Sequence, residues 1–126
     1  MTLDGHVNCE MARINRFDIP ALERGREELA TLARAVARGE HPLLAGVRRL
    51  LSLGYALDLD ATDEDFRVLL ACDSESDSLP VGEERQNWNS VALQEQDRMI
   101  ASTERRWEKA VRAASGRLAD RLIGAV

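Results

Sequence analysis

Residues 91–122, VALQEQDRMIASTERRWEKAVRAASGRLADRL, place Leu93, Ile100, Trp107, Val111, Ala114, Leu118 and Leu122 at spacings of seven, seven, four, three, four and four. That is one face of an α-helix. At ~1.5 Å per residue the helix is on the order of 45–50 Å long. Trp107 lies on the stripe and is expected in the core. Ser90 is the expected N-terminal cap, and Gly116 is a weak point where the helix is expected to bend. So long a helix needs other helices to cover its apolar face.

Those helices are legible upstream. Leu22, Gly25, Leu29, Leu32 and Val36 form a second stripe within residues 18–38. Asp18 suits its cap and Pro20 its first turn. Gly25 lies on the stripe and can admit a neighbouring helix. Gly39 and Pro42 end the helix. Residues 42–55 are leucine-rich around a broad face, so this helix is expected to be the most buried. The short break between the two predicts an antiparallel hairpin. Residues 63–71 fit a short helix, with Thr62 and Asp65 as an imperfect capping box, or a buried strand over 66–70. Helix is preferred because no second strand exists to pair with it. The fold class is therefore all-α: a helical hairpin packed on a long C-terminal helix, with a connecting segment between, in one domain of 126 residues. An aromatic content of only 4% argues against a β-sandwich or barrel. Met11-Ala12-Arg13-Ile14-Asn15 has the form of a second start site, which makes residues 1–10 an extension or a vector remnant.

The connecting segment carries the charge. Asp58–Glu84 holds ten acids and one base, Arg67, a local charge of −9 in a chain whose net charge is −5. Residues 1–57 and 85–126 each hold more bases than acids. An acidic block of this kind repels itself and needs solvent, a cation or a basic partner. Residues 73–82 are interrupted by serines, Pro80 and Gly82, and are expected to form a solvated loop. Asp73, Glu75, Asp77 and Glu84 sit at positions 1, 3, 5 and 12 of an EF-hand outline. Ser78 stands where the turn needs glycine, and Pro80 stands at position 8, so no specific calcium site is expected. Trp88, four residues after the last acid, is either a core anchor or an aromatic contact beside the acidic surface.

Little else carries chemistry. His6 and His41 belong to no catalytic set, and no nucleophile elbow, phosphate loop or zinc spacing occurs. No catalytic residue, cofactor or metal is therefore assigned. Cys9 and Cys72 are far apart and fit free thiols in a reducing cytosol. No apolar run reaches the length of a membrane span. Sixteen of the seventeen basic residues are arginine, which fits a high-GC bacterial genome. The arginines of the last third alternate with Glu104, Glu108 and Asp120, the pattern of an ion-paired face and not of a nucleic-acid surface.

The run Ser74-Glu75-Ser76-Asp77-Ser78-Leu79-Pro80-Val81-Gly82, followed by Arg85, Trp88 and a long helix, resembles a pattern in small uncharacterised bacterial proteins. The resemblance covers residues 66–122 at most. It implies no activity, only that the loop is a definite structure. In size, acidity and helix content the chain also resembles bacterial immunity proteins.

The expected function is a cytoplasmic, non-enzymatic inhibitor that occludes the basic cleft of a partner protein such as a toxin domain, with no nucleic-acid or membrane partner. Asp73, Glu75, Asp77, Glu83, Glu84 and Trp88 are the candidate partner-binding residues. The alternatives are a non-inhibitory adaptor for a basic protein, and a small enzyme or metal-binding protein using the acidic block.

Overall fold

The structure, a computed structural model, describes residues 13–124, the side chains of Glu83, Glu84 and Ile123 excepted. The expectations for residues 1–10, His6 and Cys9 lie outside the described residues. Four α-helices form: α1 (Ile19–Ala37), α2 (Leu43–Ala56), α3 (Glu64–Ser76) and α4 (Ser90–Gly124). A short 3-10 helix, Glu83–Asn87, precedes α4. Among the described residues there is no strand, and no helix is long and apolar enough to cross a membrane.

The hairpin forms as its punctuation predicts. The Asp18 carboxylate accepts from the Ala21 amide, at 3.1 Å, to start α1. At the other end Gly39 adopts φ +74°. The Gly39 and Glu40 amides then donate back to the Val36 and Ala35 carbonyls at 3.1 and 2.9 Å. This is a Schellman closure, and it needs the left-handed residue that glycine supplies. Half of the fourteen residues of α2 are buried, a larger share than in α1 or α3. Gly25 admits a side chain and not a helix: a Cβ there would lie 2.8 Å from Ile14 Cδ1 and 3.1 Å from Leu57 Cδ2.

The end of α2 closes by the same device with a less suitable residue. Asp58 takes φ +64°, donating to the Tyr55 carbonyl at 3.1 Å, while Leu59 donates to Gly54 at 2.9 Å. An aspartate here carries the left-handed backbone cost, and its negative charge faces the negative end of the helix. Its one ion pair, with Arg13 at 3.5 Å, is exposed on both sides and weak. Asp58→Gly is accordingly expected to stabilise the fold by ~1 kcal/mol. A chemical denaturation midpoint at or below wild type would contradict this.

Residues 63–71 are helical, and the helix runs on through Ser76. Its cap is Asp63, whose carboxylate accepts from the Asp65 and Phe66 amides at 3.0 and 2.9 Å; Thr62 instead donates to Asp60. The helix extends because Phe66, Leu69, Cys72 and Ser76 continue one buried face. Hence the expected loop start at Asp73 is corrected: Asp73 to Ser76 are the last turn of α3. Burial pushes the Cys72 thiol up to about 12, and the neighbouring carboxylates of Asp73, Glu75 and Glu104 push the same way. Cys72 is a free, buried, inert thiol.

Helix α4 is capped one residue earlier than expected, by the Asn89 side-chain oxygen Oδ1 accepting from the Ala92 amide at 2.8 Å. It runs antiparallel to α1, as Arg112 donating to the Ala37 carbonyl (2.8 Å) and Arg34 near Asp120 (3.9 Å) show. Val111, Ala114, Leu118 and Ala119 complete the core. Gly116 faces Ala37, where a Cβ would meet the Ala37 Cβ at 3.7 Å, an ordinary contact. Trp107 is not a core residue. It is half-buried at the rim, because its indole N–H turns outward to a carboxylate of α3.

Candidate acidic site

The negative charge of α3 and the positive charge of α4 meet along one antiparallel seam. At the start of α3, Arg121 holds Asp63 through two hydrogen bonds of 2.8 and 3.0 Å and also reaches Asp65 at 3.0 Å. Arg117 donates to the other Asp65 oxygen at 2.8 Å. Asp65 is 6% exposed, so these bonds neutralise a buried charge. Burial alone would raise the Asp63 pKa. The hydrogen bonds from Arg121 and from the Phe66 and Asp65 amides outweigh it and hold that carboxyl below the ordinary range.

At the end of α3, Glu75 accepts from Arg106 and from the Trp107 indole N–H, the latter at 2.9 Å. Those two donors, Arg106 first, lower its pKa. Arg48 of α2 closes the C-terminus of α3: it donates to the Ser76 and Leu79 carbonyls at 2.7 and 3.0 Å. Its Nε also stands 3.6 Å from Asp73. A cation over the last carbonyls offsets the helix dipole that the three acids Asp73, Glu75 and Asp77 would aggravate. Burial raises the Asp73 pKa, with Arg48 opposing and Asp77 adding to the rise.

The six candidate residues are therefore not one solvated loop. Asp73 and Glu75 are engaged within the fold. Asp77 is the C-terminal cap residue of α3; it is exposed and has no ion-pair partner among the described residues. Glu83 and Glu84 open the 3-10 helix, and their side chains lie outside the description. Trp88 closes the 3-10 helix with 37% of its surface exposed, so it is no core anchor. The EF-hand outline does not form a loop in the fold. Asp73 and Glu75 are two residues apart on a helix, and such positions do not face each other.

Residues 77–82 are nonetheless fixed. Leu79 and Pro80 are buried, and Arg85 donates to the Pro80 carbonyl at 2.9 Å while pairing with both Asp97 oxygens at 2.8 and 3.2 Å. The sequence reading missed Arg48 and Arg85 as clamps. Arg85 had a faint signal, an arginine beside a proline- and glycine-bearing turn that leaves carbonyls without partners; Arg48, on another helix, had none.

Two shallow depressions flank the seam and the hairpin. One, of about 610 Å³, is lined by Thr62, Glu64 and Asp120 with the Asp63–Asp65–Arg117–Arg121 network. The other, of about 500 Å³, lies between α1 and α2 at Glu28, Thr31 and Arg49. Among the described residues no three His, Cys, Asp or Glu side chains gather as metal ligands. No protein-family model matches the chain, and no similar protein or solved structure was found, so function is read from geometry and charge.

Proposed function

We propose that this protein binds a basic partner protein and inhibits it, in the manner of an immunity protein covering a toxin domain. The observation that carries this is Trp88. One of only two tryptophans in the chain stands open to solvent, just after a pinned acidic segment that begins at Asp77, which has no ion-pair partner among the described residues. Exposed indoles beside complementary charge are typical anchors of protein interfaces. Arg48 and Arg85 hold the segment, which lowers the ordering cost of binding. Internal pairing of Asp73 and Glu75 moves the contact surface from the end of α3 toward Asp77, Glu83, Glu84 and Trp88. The cytoplasm is the compartment this function implies.

The test is capture of the partner from the native cell on immobilised full-length protein, with an assay of the captured protein's activity. Trp88→Ala and Asp77→Lys are expected to lose the partner, and wild type to suppress its activity. Association should also slow sharply between 0.1 and 1 M salt, as the Debye length falls from ~10 to ~3 Å. A partner bound without loss of activity would make the protein an adaptor. Capture indifferent to Trp88 and to salt would remove the proposal altogether.

A further inference from the structure

Helix α4 outruns the bundle. No residue from Ser90 to Ser102 is buried, a projection of about 20 Å at ~1.5 Å per residue. Ile100 is the first of its side chains packed against the core. Arg85 to Asp97 is the side-chain link that ties the stretch to the rest of the fold. On this projection Val91 is 74% exposed and Met99 51%, and Leu93 is only partly covered. Trp88 stands at its foot.

The stretch around this apolar set is net acidic. Residues 77–100 hold five acids and two bases, a local charge of −3. Arg85 is matched by Asp97, and Arg98 is the other base of the stretch. Asp77 and Glu95 have no ion-pair partner among the described residues. The next stretch, residues 101–124, holds six bases and three acids, and Arg106, Arg117 and Arg121 are engaged by the acids of α3. So most of the acids of α3 are engaged within the fold, while Asp77 and Glu95 are open at the projecting end.

We infer that the first third of α4, with Trp88 at its foot, is the docking surface and that its occupant is a basic amphipathic helical segment of the partner. This rests on the protein-binding function proposed above and names the partner's chemistry. The apolar stripe of such a segment would cover Trp88, Val91 and Met99. Its lysines and arginines would face Asp77 and Glu95. Charge complementarity of this kind selects a cationic helix and repels nucleic acid and anionic lipid.

The probe is a 14-residue Leu/Lys amphipathic peptide, titrated calorimetrically into the full-length protein at 0.1 M salt. Saturable one-to-one binding is expected. The double variant Val91→Asp/Met99→Asp should weaken it by about tenfold or more, the effect of losing interface anchors. Asp73→Asn/Glu75→Gln should change it less than about twofold, since those acids already have partners. Val91 and Met99 are exposed, so thermal melts should show both variants folded as wild type. The inference is overturned if the peptide does not bind or binds without saturation. It is equally overturned if binding ignores Val91→Asp/Met99→Asp, if anionic vesicles bind the same face, or if wild type sediments as a dimer that this variant dissociates. Capture of a native partner that depends on Trp88 but not on Val91 and Met99 would leave the protein-binding function standing while this inference fails.

Discussion

Gly54→Ala is expected to destabilise the fold by about 2–3 kcal/mol, the largest loss for the smallest change in this chain. Substituting alanine for glycine within a helix normally stabilises by roughly 0.5–1 kcal/mol. Here a Cβ would lie 2.2 Å from Phe66 Cε1, 2.9 Å from Cζ and 3.1 Å from Cδ1. Phe66 is fully buried and meets Tyr55 edge to face, with ring centroids 5.4 Å apart. Its ring has nowhere to retreat, so α2 and α3 must separate. Phe66→Ala removes the ring instead and should cost ~3–5 kcal/mol by leaving a cavity. Both compare with a whole-domain stability of about 5–15 kcal/mol. The two changes share one contact and should not add. Gly54→Ala/Phe66→Leu should be more stable than the summed losses of Gly54→Ala and Phe66→Leu measured singly, because leucine vacates the space the new methyl needs. Gly116→Ala is the control: its Cβ meets only an ordinary contact, so the helix gains and nothing is displaced. Chemical denaturation of these proteins decides the matter. If Gly54→Ala unfolds at the wild-type midpoint, α2 and α3 do not pack as described.

Neither contact could be read from sequence, although the helices could. The stripes through Leu29 and Val36 and through Val111 and Leu118 name one face each, and periodicity is a local property. Gly54 sits in a leucine-rich run where it reads as a small gap, and only the arrival of Phe66 from another helix gives the gap a purpose. The acidic block shows the same limit. Charge counting found it, but counting along the chain treats Asp63, Asp65 and Glu75 as neighbours that repel. In the fold their neighbours are Arg121, Arg117 and Arg106, more than thirty positions away or nearly so. The expected solvated loop at Asp73 failed for a related reason. Serine and aspartate disfavour a helix interior only while nothing else pays their helical cost. Buried Ser76, donating to the Cys72 carbonyl at 2.8 Å, and Arg48 over the helix end supply that compensation. Trp88 was the legible part of the site, though sequence alone left open whether it was core or surface.

The seam between α3 and α4 leads to the second large effect. Arg117→Ala/Arg121→Ala is expected to cost about 3 kcal/mol at pH 7, the low end for stranding a buried charge, because both guanidinium groups are themselves half-exposed. Asp65, only 6% exposed, would lose both of its arginine partners. The loss should depend on pH with a definite sign. In the wild-type fold the Asp63 pKa lies below its ordinary value of 3.8. Between the folded and the ordinary value the unfolded chain binds more protons, so stability rises with pH. The contribution of Asp63 is thus complete above the ordinary pKa and is lost as pH falls through the folded one. Without Arg121, burial of Asp63 is no longer opposed by it, and protonation relieves the stranded Asp63 carboxylate. The difference between wild type and variant should therefore be greatest near neutrality and should shrink below pH 4. Urea unfolding at pH 7 and pH 3 measures both ends. Asp65→Asn, which removes the charge and keeps an acceptor for Arg117, should cost less than removing the two arginines. A variant that loses nothing at pH 7, or loses equally at both pH values, would reduce the network to a surface ornament. The positive half of α4 would then be free to meet an outside partner, and the division of charge that points the acidic end outward would no longer hold.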